Sequence, residues 1–234
     1  MRLGLTIGAL MVAMPAQAQV REPWLGVLNT VKAIAFDPGG FFERPDANLV
    51  GIRYTGDDYG WPVYSIAVRS GCRSADEPRP ACYNQRIARM VRAPIGEHGA
   101  ERARWRGSDL INRIVEAGAT SEGAIKDQLD KVGVEWLEAE LQTCSGAIEM
   151  LTRAEQARWG PYTPPPNPNG PIIVSMHADQ MEVDFRVRDG RVDWRGTMHA
   201  GTAGRWADDF AKLIEPCWHP ASVPTPWRRV AEQD

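Results

Sequence analysis

Histidine and cysteine are scarce in this chain of 234 residues, with four of each. Neither recurs at metal-binding intervals. There is no C-x-x-C pair and no close Cys/His cluster, so a structural zinc site is excluded on spacing. A G-x-S-x-G elbow, an H-E-x-x-H pair, a phosphate loop and a dinucleotide fingerprint are absent too. These absences lead us to expect no cofactor and no resident metal. A Ser-His-Asp arrangement needs no local motif, so an enzyme stays open. An excess of one charge is also lacking: 27 basic residues stand against 30 acidic ones. That balance gives no electrostatic reason to expect nucleic acid as a partner. Finally, the apolar run at 3–14 is shorter than the roughly 20 residues that span a bilayer, and no later stretch is longer. A membrane-spanning protein is not expected.

The short apolar run has another reading. Arg2 precedes it, and Ala16 and Ala18 follow with the small-x-small spacing of a cleavage site. These are the parts of a secretory signal over residues 1–18, which leaves Gln19 as the first mature residue and a periplasmic or secreted location. No cysteine follows the cut to carry a lipid. Loss of Arg2 leaves 26 basic residues against 30 acidic ones, a mature net charge of −4. In an exported chain an even cysteine count reads as disulfides. Of three connectivities, the expected one joins Cys72 to Cys82, around a loop holding Pro78 and Pro80, and Cys144 to Cys217. The nine tryptophans read as large buried rings.

Periodicity predicts the elements. Trp24, Val27, Leu28, Val31 and Ile34 recur at helical spacing, and Asp37-Pro38-Gly39-Gly40 ends that helix. Val50, Ile52 and Tyr54 alternate, as do Tyr64, Ile66 and Val68, and 84–92 completes a three-stranded meander. Ser108 is the expected cap of a helix that stops at Gly118. Ile125, Leu129, Val132, Trp136, Leu141, Cys144, Ile148 and Leu151 read as one apolar stripe along a single helix of about seven turns. The Pro-rich stretch 160–171 reads as a crossover.

Asp189-Gly190 signals a two-residue hairpin, which predicts paired positions summing to 379, with Phe185 opposite Trp194 and Asp184 opposite Arg195. A preceding strand, 172–177, makes a second meander. Thr202 caps a last helix with Trp206, Phe210, Leu213 and Ile214 inside. The expected fold is therefore α+β: antiparallel sheet, as two three-stranded meanders or one joined sheet, with helices packed on one face and two disulfides. One domain covers 19–220, followed by a flexible tail at 221–234.

The hairpin register brings together one constellation with chemical potential. His177 would face Glu182, and His199 would lie one step along the same polar face, near Asp179 and Gln180. Imidazoles and carboxylates at a sheet end can hold a metal or pass a proton, so His177, Glu182 and His199 are the candidate catalytic residues. The bland alternative is a hydrated sheet face with cross-strand charge pairs. His98 and His219 have no evident partner. Two further features read as binding surfaces or as ordinary structure. One is the turn Gly56-Asp57-Asp58-Tyr59-Gly60-Trp61, and the other is the arginine run Arg86, Arg89, Arg92, Arg102, Arg104 and Arg106. The preferred expectation is a non-catalytic exported protein that binds an unidentified protein or envelope ligand or supports the envelope. The alternative is a small hydrolase or metal-dependent enzyme built on the His/Glu cluster.

Overall fold

A computed structural model describes residues 22–43, 48–56, 59–71, 85–97, 99, 103–157, 159, 179–187, 190–197 and 202–229. The elements are α1 (Pro23–Ile34), β1 (Asn48–Gly56), β2 (Trp61–Ser70), β3 (Arg86–Arg92), α2 (Ala103–Glu116) and α3 (Glu122–Leu129). Then come β4 (Glu135–Glu140), α4 (Ala147–Gln156), β5 (Gln180–Val187), β6 (Gly190–Gly196), α5 (Ala203–Ile214) and β7 (His219–Pro220). All seven strands form one antiparallel sheet in the order β6-β5-β1-β2-β3-β4-β7. The α+β class holds, and the first meander is β1-β2-β3. Of the two arrangements expected it is the joined sheet that forms, because β5 pairs with β1. The expected strand at 172–177 and the Pro-rich stretch 160–171 lie outside the described residues.

Helices cover both faces of the sheet, not one. Val27, Leu28 and Val31 of α1, Leu110, Ile111 and Ile114 of α2, and Ile125 and Leu129 of α3 pack with Ala67, Ile87 and Val91. Leu151 of α4 and Ala207, Phe210 and Ile214 of α5 pack on the alternate positions Ile66, Val68, Ala88 and Met90. The reason is in the central strands. Both β2 and β3 carry buried residues at consecutive positions, so each face needs a cover.

The single long helix expected over 125–151 is instead α3, β4 and α4. Gly133 and Gly146 adopt φ of 80° and 79°, left-handed values that interrupt an α-helix and that only glycine reaches without cost. Between them the strand sends Trp136 and Glu138 to one face and Leu137 and Ala139 to the other. Helix α2 starts at Ala103, ahead of the predicted cap, so Ser108 is a buried residue inside it. Its stop at Gly118, with φ 70°, is as expected. The Thr202 hydroxyl caps α5 by accepting from the Arg205 N–H.

The β5–β6 hairpin keeps the predicted faces but not the predicted partners. Val187 pairs with Gly190 and Val183 with Trp194, so positions sum to 377. A slip of two residues leaves every side chain on its own face, and therefore the apolar pattern cannot distinguish the two registers. Packing decides. Trp194 lies against Gly196 and Gly204, where an added Cβ would come within 3.1 Å and 2.3 Å of its ring. Phe185 faces Val192, and its ring meets Trp159 and Trp206 at centroid distances of 5.5 Å and 4.4 Å.

Cys144 and Cys217 form a disulfide with Cα atoms 6.0 Å apart. It is the one disulfide among the described residues, and Cys72 and Cys82 lie outside them. The C-terminal segment is docked through residue 229, contrary to the tail expected from 221. Trp227 is only 3% exposed and donates to Asp130 Oδ1 at 2.7 Å, while Arg229 donates to the Gly40 and Phe41 carbonyls. A lone tryptophan in a Pro-rich segment gives no periodicity, so its burial has no local sequence signal. No helix among the described residues is long and apolar enough to cross a membrane.

Candidate functional site

Helices α1–α3 cover only part of their sheet face. Beyond them, among the described residues, β1, β5 and β6 carry mostly charged residues at alternate positions. Residues Gly51 and Arg53 stand opposite Asp184 and Glu182, which in turn neighbour Asp193 and Arg195. Two adjoining clefts of about 210 and 310 Å³ run across this surface, sharing Gly51, Arg53 and Asp184. One wall is the turn after α1, where Asp37 accepts from the Gly39 N–H and Pro38 rests against Gly51. The missing side chain at Gly51 forms the floor.

The groove holds a ladder of ion pairs. The Arg53 guanidinium reaches Asp37 Oδ1 at 2.5 Å and Glu182 Oε2 at 3.6 Å. The other oxygen of Glu182 lies 3.3 Å from Arg195 Nε, which also donates to Gln180 Oε1 at 3.2 Å. Arg191 binds Asp184 through both Nε and Nη2. Lys32 adds a further cation from α1. Burial pushes its ammonium pKa down, against the attraction of Glu182, and Arg195 and Arg53 push the same way as burial. Three cations, Arg53, Arg191 and Arg195, and four carboxylates, Asp37, Glu182, Asp184 and Asp193, line the two clefts, with the Lys32 charge beside them. Such a surface can exchange its own pairs for those of a ligand carrying both signs of charge, which favours specificity and on-rate over raw affinity.

Of the three predicted catalytic residues, Glu182 is in this groove, whereas His177 and His199 lie outside the described residues. Glu182 faces Arg195 on β6, two positions from the Thr197 that a sum of 379 gives, and Arg53 on β1. No group of three or more His, Cys, Asp or Glu among the described residues is arranged to hold a metal ion. His219, on β7, is exposed, and its Nδ1 lies 3.1 Å from the Pro220 carbonyl. Lys32, Asp37, Arg53 and Arg191 had not been singled out from the sequence. The signal for Arg53 and Arg191 is their alternate positions on β1 and β6, but it acquires meaning only once β5 is known to bridge those strands; Lys32, on α1, and Asp37, in the turn after it, carry no such signal.

The two other sequence features resolve differently. Asp57 and Asp58 lie outside the described residues. Tyr59 is 58% exposed and meets Trp24 and Trp61 at ring centroid distances of 5.5 and 5.7 Å. Trp61 is therefore half-buried in a surface aromatic cluster. The arginine run does not form one basic patch, because strand alternation divides it. Arg89 goes to the face of α1–α3, where it pairs with Glu138 at 2.9 Å, while Arg92 points to the opposite face and pairs with Glu135 and Glu215. Arg102 lies outside the described residues. No protein-family model, no curated protein and no solved structure matches the chain.

Proposed function

We propose that the protein is exported and works in the periplasm or the surrounding medium as a non-catalytic binding domain. Its contact surface is the charged groove of β1, β5 and β6, and its partner is a protein or envelope ligand bearing both signs of charge. One observation carries the reading: among the described residues no helix lies over β5 and β6 on this side of the sheet, and the surface bears paired cations and carboxylates instead of apolar side chains. The engagement of both Glu182 oxygens by arginines supports a binding role over proton transfer by that carboxylate. The signal-like N-terminus and the Cys144–Cys217 bond support export.

Two measurements test this reading. Mass spectrometry of the exported fraction is expected to find a mature chain beginning at Gln19, and recovery of only the intact chain removes the export half. A photo-activated cross-linker at Asp193, which is 80% exposed, is expected to capture one species in the producing cells. The same group at Glu149 on α4, on the other side of the sheet, captures none. The adduct fades with added salt and in Arg53→Glu/Arg195→Glu, as contacts dominated by surface charge do. Equal capture from both positions, or capture indifferent to the charge reversals, removes the binding half.

A further inference from the structure

The opposite face of the sheet holds a third cleft, of about 370 Å³, where β1 ends, β2 begins and β3 ends. Its volume falls within the roughly 300–1,000 Å³ of small-molecule sites. Tyr54, Tyr64 and Met90 line it from the sheet and Ala211 from α5. The two tyrosines are cross-strand partners with ring centroids 5.1 Å apart. Desolvation raises both phenol pKa values well above the ordinary one, and for Tyr54 the hydrogen bond it donates to Asp179 at 2.6 Å adds to this. Both rings stay neutral, so the floor is aromatic and uncharged.

The rim charges are not equivalent. Glu215 accepts from Arg92 at 2.7 Å, and Asp208 accepts from Lys212 at 2.7 Å. Arg92 has a second carboxylate in Glu135. Arg106, on α2, differs. Its only hydrogen bond among the described residues is a long one, 3.4 Å, from Nη1 to the Ala93 carbonyl, and no carboxylate among them pairs with it. Burial and the nearby Arg92 charge disfavour its cationic form and outweigh the attraction of Glu135 and Glu215. A guanidinium offers five N–H donors in a fixed fork suited to an oxyanion. Its placement is built into the fold: α2 crosses β2 so closely at Gly107 that a Cβ there would lie 2.4 Å from the Pro62 carbonyl oxygen. That approach brings the neighbouring Arg106 to the cleft.

We propose that this cleft binds a small amphiphilic anion, its head group on Arg106 and its apolar body over Tyr54, Tyr64 and Met90. The site is separate from the groove, and neither proposal depends on the other. Calorimetry with octanoate, octyl sulfate, octanol and octylammonium on the wild-type protein tests it. Octanoate or octyl sulfate is expected to bind at least about tenfold more tightly than octanol, about 1.4 kcal/mol, with octylammonium weakest. Which anion wins tells a carboxylate from a sulfate head. The Met90 methyl resonance is expected to shift on addition of the better anion, and Arg106→Gln is expected to reduce that anion to the affinity of octanol. Equal binding of octanol and both anions overturns the proposal, as does an unmoved Met90 signal or full affinity in a folded Arg106→Gln. The four-ligand comparison needs no variant, so it decides the matter even if Arg106→Gln does not fold.

Discussion

Arg89 and Glu138 are 3% and 1% exposed, charges buried beneath a layer of helices and loops. Cross-strand register between β3 and β4 sets them side by side. The guanidinium also donates to the Phe41 carbonyl at 2.9 Å and lies 4.5 Å from the centre of the Phe42 ring, so its desolvation is well compensated. Burial lowers the Arg89 pKa, and Glu138 acts against that. Removing one charge leaves the other without compensation. Glu138→Gln is expected to cost about 3–5 kcal/mol by urea unfolding. The double change Arg89→Met/Glu138→Leu is expected to cost less than Glu138→Gln alone, since it strands no charge and Arg229 still donates to the Phe41 carbonyl. A double variant less stable than the single one would show that the pair holds the Phe41–Phe42 loop in place by more than charge compensation.

Among the elements, the Cys144–Cys217 bond joins the turn before α4 to the end of α5 across 73 residues of chain. It ties the two helices of one layer to each other. Chain entropy assigns a loop of this length on the order of 4 kcal/mol. The double variant Cys144→Ala/Cys217→Ala is expected to lose about that much stability in urea while keeping its circular dichroism. A loss below about 1 kcal/mol would mean that the helix layer is held by packing alone. The elements also show what the sequence can and cannot reveal. Strands β1 and β2 were legible from alternation, and α1 and α5 from helical spacing, because those patterns are local; β3, buried at five consecutive positions, suits either period and was legible only as the strand that completes a meander. The segment 125–151 was misread because Trp136 and Leu141 continue the helical spacing of their neighbours, while Trp136 on one side and Leu137 and Ala139 on the other supply both faces of a strand. Gly133 and Gly146 were the only local marks against a helix. The unbroken burial from Val63 to Val68 apart from Tyr64 carried the two-sided cover, which the alternating apolar residues Tyr64, Ile66 and Val68 concealed. For the candidate site, Glu182 was found by assuming one hairpin, but its arginine partner on β1 lies more than a hundred residues away. No local pattern announces a pairing of that range.

On the scale of the molecule, the C-terminal segment acts as a strap. It leaves β7, gives the Val223 carbonyl to Trp136 Nε1, buries Trp227 among α1–α3 and β4, and ends with Arg229 on the turn that forms one wall of the charged groove. Asp130, just after α3, is the latch. Burial works against its ionised form, but hydrogen bonds from Trp227 and Arg228 and the Arg228 charge outweigh it and hold the carboxyl below its usual range. A depressed carboxyl pKa stabilises the folded state fully above the unfolded value of about 3.9 and ceases to do so as pH falls through the folded value. The strap is therefore expected to stay closed at neutral pH and to loosen below about pH 4. The Trp227 indole N–H resonance, followed through an acid titration, reports the release directly. In Asp130→Asn the amide oxygen can still accept a hydrogen bond but carries no charge. That variant is expected to show a weaker strap at neutral pH and no titration step in the acid range. A step of the same midpoint and size in both proteins would place the latch elsewhere, with Asp127, which receives Arg228 Nη2 at 2.6 Å, the next carboxylate to remove.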